Sequence, residues 1–349
     1  MTPRTYGRAR DLFARARRLP RDGRTVWLRR HCDDRGTLLA EVRALLAQDE
    51  GCGGSFLGAP AARSTPRDEV PINGYGMMRP LHTGSSCALY LARQRHPVRR
   101  NVVIKTLKPD ADEPRARARF NAEVRALAAT DHPNVVTLLD AGAARDGRPF
   151  LAMRHVGGAV PITRFCDAQR WPLRRRMELF LQACEAVRHV HERGVVHRGL
   201  CPDHLLVALH GGRAAHLTLV GFGSAALTCD SFPDDRPIES EPTSYAPPER
   251  AARAGRGGAD ARGDVYALGV ILRELTAPDA PRHARDRLSA VARRATEDDP
   301  SRRYQTVDQL AEDVHACVVA RRPRAKLIVV MTALAALGTA AAVLVMHLI

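Results

Sequence analysis

Lysine is nearly missing from this chain: of 54 basic residues, only Lys105, Lys108 and Lys326 are lysines. Basic character is therefore spread by arginine usage over the whole sequence, and the net charge of +16 does not mark out one polyanion-binding patch. Nucleic acid is accordingly not the expected partner. Paired cysteines are missing too. Cys32, Cys52, Cys87, Cys166, Cys184, Cys201, Cys229 and Cys317 contain no C-x-x-C spacing, and no N-terminal apolar run could act as an export signal. These absences exclude a small disulfide scaffold and point to reduced thiols in the cytoplasm. Collagenous and low-complexity classes are excluded as well: 45% of the 349 residues are apolar and 26% charged, enough for about two domains with real cores.

One stretch lacks charge altogether. Residues 327–349, LIVVMTALAALGTAAAVLVMHLI, carry His347 as their only ionisable side chain. At about 1.5 Å per residue a helix of this length crosses a hydrocarbon core of about 30 Å, so a single transmembrane helix is expected. Arg321, Arg322, Arg324 and Lys326 flank its N-terminal side and would hold that side in the cytoplasm, which predicts a tail anchor in the inner membrane. With nothing after Ile349, no outer sensing domain is expected.

Composition divides the rest. Residues 1–58 repeat apolar positions at helical spacing, with Leu12, Phe13 and Ala16 on one face and Leu38, Leu39, Val42, Leu45 and Leu46 on another, which predicts a helical module. Residues 59–73 continue a Gly-, Pro-, Ser- and Ala-rich stretch and are expected to be a linker. Residues 74–322 begin with short alternating segments such as ALYLAR and NVVIKTL and then become helical, so a small sheet lobe followed by a helical lobe is predicted.

The ordered segments of this third region resemble a protein kinase, and in particular the membrane-anchored bacterial serine/threonine kinases. VVIK ends in Lys105 at the position of the phosphate-pairing lysine, RFNAEVRAL supplies Glu123 at its helix partner, and HPNVVTLLDAG, PFLAMRHV, SYAPPER, DVYALGVIL and DPSRRYQT follow in kinase order. The resemblance implies an α+β, bilobal kinase-like fold. It places Leu127, Leu138, His197 and Phe222 in a hydrophobic spine anchored by Asp264, and Glu249 and Arg303 in a buried ion pair. It also places Leu81, Gly84, Leu89, Val103, Lys105, Glu123, Met153, Arg154, Val156 and Leu206 around a nucleotide.

The chemistry that the family performs needs carboxylates that this sequence lacks. In HRGLCPDH, Gly199 stands at the catalytic aspartate, Cys201 at the lysine and His204 at the metal-binding asparagine, while Gly221-Phe222-Gly223 replaces the metal-binding D-F-G. A thiol or imidazole is a poor ligand for hard magnesium. The Gly-rich loop keeps Gly84 but has His82 and Cys87 at its flanking glycine positions. Asp203 is the remaining carboxylate of the catalytic loop, and backbone alternation is expected to aim it away. Pro242 stands where the family has a threonine facing the catalytic aspartate, and the stretch from Leu275 to Leu288, read as the start of the next helix, leaves no room for the usual substrate-docking helix.

The sequence therefore predicts a pseudokinase acting as a scaffold or allosteric regulator, with no metal site and no cofactor, any residual ATP binding being weak and independent of magnesium. Its expected partners are the lipid bilayer and a protein, such as an intact kinase or its substrate. A weakly active serine/threonine kinase and a basic membrane-surface or nucleic-acid-binding module are the alternatives.

Overall fold

Alternation of side chains builds the first lobe. In a computed structural model of the chain, β1 (Tyr75–Thr83), β2 (Cys87–Gln94) and β3 (Arg100–Leu107) are followed by the helix α1 (Pro114–Ala128), then β4 (Leu138–Ala143) and β5 (Pro149–Arg154). The structure describes residues 72–319, except 112, 211–213, 228–242, 253–259 and 277–280, together with nine residues scattered between Leu12 and Val42. The five strands pair in the order β1-β2-β3-β5-β4, and the pairs are antiparallel. Along β3, Val102 and Ile104 join a cluster on one face with Phe150 and Ala152, whereas Val103 joins the main core on the other face. Because strand residues two apart share a face, Lys105 falls on the Val103 side, toward the second lobe. Ile72 is packed in the outer-face cluster, two residues before Gly74.

The second lobe is helical. After β6 (Val160–Pro161), the helices α2 (Ile162–Ala168) and α3 (Leu173–Glu192) lead to β7 (Val195–Val196), β8 (Leu205–His210), β9 (Ala214–Leu219) and β10 (Ala226–Leu227). The helices α4 (Pro248–Ala252), α5 (Arg262–Leu275), α6 (Arg282–Ala295) and α7 (Val307–Val319) complete the described residues. α5 is buried almost all round, as expected of a central helix rather than a surface one. Gly269 permits this: a β-carbon there would stand 2.6 Å from that of Ala295 on α6. One apolar cluster runs through both lobes, from Leu81, Leu89 and Val103 to Leu272 and Leu310.

The helix after α5 starts at Arg282, not at Leu288 as the sequence suggested. Leu288 is its first fully buried residue, which is why hydrophobic spacing marked it; the helix opens earlier, behind Pro281, on exposed side chains. Only residues 276–281 separate α5 from α6, too few for an intervening docking helix. In the N-terminal region the nine described residues are helical, and Leu12, Ala16, Leu28 and Val42 cluster with Trp27 and Leu39. Among the described residues no helix is long and apolar enough to cross a membrane; residues 327–349 and Pro242 lie outside the described residues.

Arg303 is the largest fully buried side chain. Its Nη1 and Nη2 donate to Oε1 and Oε2 of Glu249 at 2.7 and 2.6 Å, its Nε donates to the Glu297 carbonyl at 2.7 Å, and the guanidinium lies 4.8 Å from the Tyr266 ring centre. This pair ties α4 to the segment between α6 and α7. Removing one partner strands a charge out of water, so Glu249→Ala is expected to cost about 3–5 kcal/mol of stability. Urea denaturation of the two proteins tests this, and a loss below about 1 kcal/mol contradicts a structural role for the pair.

Candidate functional site

The floor of the interlobe cleft hangs from one carboxylate. Asp264, at the start of α5 and 1% exposed, accepts the backbone N–H groups of His197 and Arg198, each at 2.8 Å, and the Nε2–H of His191, also at 2.8 Å. Burial alone would raise its pKa, but the His191 hydrogen bond and the facing histidines outweigh it and hold Asp264 below the usual carboxylate value. Arg198 needs this support. It sits at φ +66°, a left-handed conformation that non-glycine residues adopt at a cost, and its carbonyl accepts Nη1 of Arg250.

His197 extends the anchor into the spine. Its ring is fully buried 4.9 Å from that of Phe222, and its Nε2–H donates to the Val220 carbonyl at 3.0 Å. Its Nδ1 is buried with no hydrogen-bond partner among the described residues. Burial and the nearby His204 together push its pKa down to about 4, so the ring is neutral. Leu127 on α1 is buried, Leu138 is partly buried against the same cluster, and α1 packs on residues 222–224. Of the spine positions named from the sequence, His197 and Phe222 are thus in contact, and Leu127 and Leu138 belong to the same apolar cluster as Phe222.

The roof keeps its ion pair. Lys105 Nζ lies 2.5 Å from Oε2 of Glu123, with the two side chains 13% and 4% exposed. His82 and Cys87 stand near this pair. His82 folds under the loop, its Nε2 3.6 Å from where a β-carbon on Gly84 would stand. Burial, then the charges of Lys105 and His204, hold its pKa below the ordinary value. The Cys87 thiol is pushed up by burial against the pull of Lys105. Both flanking-glycine replacements therefore lie close enough to Lys105 to feel its charge.

His204 and Gly221 are complementary in shape. The His204 Nδ1 donates to the Gly199 carbonyl at 2.6 Å, which fixes the ring over Gly221. A β-carbon on Gly221 would stand 2.3 Å from Cδ2 and 2.5 Å from Nε2 of that imidazole, and Gly221 itself is left-handed at φ +86°. The ring occupies the space that an aspartate side chain at 221 would need. Gly199 brings only its carbonyl and Cys201 is buried, 3% exposed.

Asp203 differs from expectation. The alternation argument requires extended backbone, but Pro202–His204 forms a turn of 3-10 helix, so it does not hold there. The Asp203 carboxylate influences His82 across the cleft, and its Oδ1 is buried with no hydrogen-bond partner among the described residues.

The positions that the kinase resemblance assigns to a nucleotide base are buried: Leu81, Leu89, Val103, Met153 and Leu206 are each between 2% and 5% exposed, and Val156 packs against the apolar cluster that holds them. In the connecting strand, the Arg154 N–H is donated to the Thr137 carbonyl at 3.0 Å and the Val156 carbonyl accepts from Ala159. Sequence reasoning missed His191. A buried aspartate needing several donors is the signal that would have found it. The ring is committed to Asp264, as His197 is to Val220 and His204 to Gly199.

A two-lobed fold with a lysine–glutamate pair above, and an aspartate-anchored loop below, defines the protein kinase class. A model of the protein kinase domain matches residues 75–330, and the chain belongs to that family. It is related to bacterial serine/threonine kinases. It is 27% identical over 274 residues to PknB of Mycobacterium leprae and 35% identical over 214 residues to the DNA damage-responsive kinase RqkA of Deinococcus radiodurans. Those alignments cover 70% and 59% of this chain, but only 41% and 30% of the relatives, so the chain matches less than half their length. The solved kinase domain of Mycobacterium tuberculosis PknI covers 74% of this chain and 100% of its own, with a TM-score of 0.53 and 24% identity, a likeness of fold.

Two outcomes follow from this geometry. Gly221→Asp is expected to destabilise the protein by about 1–3 kcal/mol through overlap with His204, and His204→Ala in that background should recover a large part. Strictly additive effects in a denaturation cycle contradict the shape coupling. His197 takes up its proton near pH 4 when folded but near pH 6.5 when unfolded, so its contribution is complete above about pH 6.5 and is lost on acidification, by up to about 3 kcal/mol at pH 4. His197→Phe should flatten the fall in unfolding free energy between about pH 7 and pH 4.5, and equal slopes in the two proteins would refute a buried neutral ring.

Proposed function

We propose that this chain is a catalytically impaired member of the kinase family, anchored in the cytoplasmic membrane through residues 327–349 and acting as a scaffold or allosteric partner. The observation that carries this reading is the His204 imidazole seated against Gly221, where the chemistry needs a carboxylate holding magnesium. Phosphoryl transfer depends on metal ions that bridge the phosphates and on a carboxylate that orients the hydroxyl. With glycine at 199 and 221, neither group is supplied at its usual position. The burial of Leu81, Leu89, Val103, Met153 and Leu206 further supports weak nucleotide binding without magnesium.

What the fold retains fits a protein that works through its surface. Asp264, the spine and the Glu249–Arg303 pair maintain the shape of a kinase, and confinement to a membrane raises the effective concentration of a co-anchored protein, such as an intact kinase or its substrate. The Lys105–Glu123 pair is the one observation favouring a second reading, a weakly active serine/threonine kinase.

Phosphate transfer separates the two. Full-length protein in detergent, given labelled ATP and magnesium, is expected to incorporate no more phosphate into itself or a generic protein substrate than a Lys105→Ala control. Robust, magnesium-dependent incorporation that Lys105→Ala abolishes would overturn the impaired reading and select the second.

A further inference from the structure

We propose that the exposed basic face of α6 docks on an anionic lipid surface, orienting the helical lobe on the membrane. α6 carries five arginines against one acid: Arg282, Arg285, Arg287, Arg293 and Arg294 against Asp286. Its buried side is Leu288, Val291, Ala292 and Ala295, which leaves Arg282, His283, Arg287, Arg293 and Arg294 exposed with the single acid Asp286 among them. This concentration of charge exceeds what an even scatter of arginine produces.

The position of the helix selects the occupant. Arg287 Nη2 donates to the Ala316 carbonyl at 3.2 Å, so the first half of α6 lies against the C-terminal end of α7. The acids of α7, Asp308, Glu312 and Asp313, all lie earlier in that helix, and Asp313 is spent on Arg294 and Tyr304. From Val319 only residues 320–326 lead to the apolar stretch, a span of at most about 29 Å when fully extended. Four of those residues, Arg321, Arg322, Arg324 and Lys326, are cations. The arginine face is thereby tethered beside the headgroup layer, and cations gain from an anionic leaflet only within about one Debye length, near 8 Å. The inference rests on the membrane-anchor reading above.

Arginine footprinting tests it on the full-length chain in nanodiscs. Phenylglyoxal modification, read by mass spectrometry, is compared in discs of phosphatidylcholine alone and discs containing phosphatidylglycerol. Arg174 and Arg302, with side chains 80% and 69% exposed, serve as internal references. Arg282 and Arg293 are expected to be protected in anionic discs but not in neutral ones. Arg282→Gln with Arg287→Gln should reduce the protection of Arg293 by roughly an order of magnitude. Alkaline carbonate extraction of the same chain from vesicles reports the anchor independently. A chain that resists extraction yet shows equal modification in both discs defeats the docking face alone. A chain released by carbonate defeats the anchor and the docking face together. Protection by oligonucleotide in neutral discs, with none from anionic lipid, would identify a nucleic-acid surface and overturn the lipid assignment.

Discussion

The Asp264 carboxylate is the constraint on which the rest depends. Desolvating a charge at 1% exposure is tolerable only when the surrounding structure supplies donors, and here two consecutive backbone amides and one imidazole do so. Those donors fix the backbone through His197 and the left-handed Arg198, and the fixed backbone places His197 against Phe222. Phe222 in turn supports α1, which carries Glu123 to Lys105. A chain of contacts from the centre of one lobe to the roof of the other thus begins at a single buried group that performs no chemistry.

The groups that support the fold are separate from the positions where the family places its chemistry. Asp264, His197 and Arg303 are buried and hydrogen-bonded, so altering any one of them exposes the fold to the full cost of an unpaired group. The catalytic positions face the cleft, where a glycine at 199 or 221 leaves nothing unpaired. His204 and Gly221 are coupled by shape. The imidazole fits because residue 221 has no side chain, and a side chain at 221 no longer fits because of the imidazole. An aspartate at 221 would therefore meet the His204 ring.

Much of this was legible in the sequence because its ordered segments resemble a kinase. That resemblance marked Lys105 in VVIK, Glu123 in RFNAEVRAL, Glu249 in SYAPPER and Arg303 in DPSRRYQT, and the structure pairs the first two and the last two. The missing carboxylates were legible as simple substitutions. Facts that depend on three-dimensional packing were not. The contact of His204 with Gly221 joins residues from separate loops, His191 acts through a partner on α5, and the turn at Pro202–His204 removes the alternation used to orient Asp203. The start of α6 was misplaced for a related reason: buried residues mark where a helix touches the core, and its first turn does not.

The central claim is that the kinase frame stands assembled without metal-held phosphates, and the most direct measurement is the melting temperature of the full-length protein with ATP, with and without magnesium. A ligand bound to the native state alone raises stability in proportion to its occupancy of the competent site. The account predicts no stabilisation that depends on magnesium, and at most a small shift common to both conditions. A shift that appears only when magnesium accompanies ATP would contradict it, because the cleft would then hold a metal that His204 and Gly221 leave no carboxylate to bind.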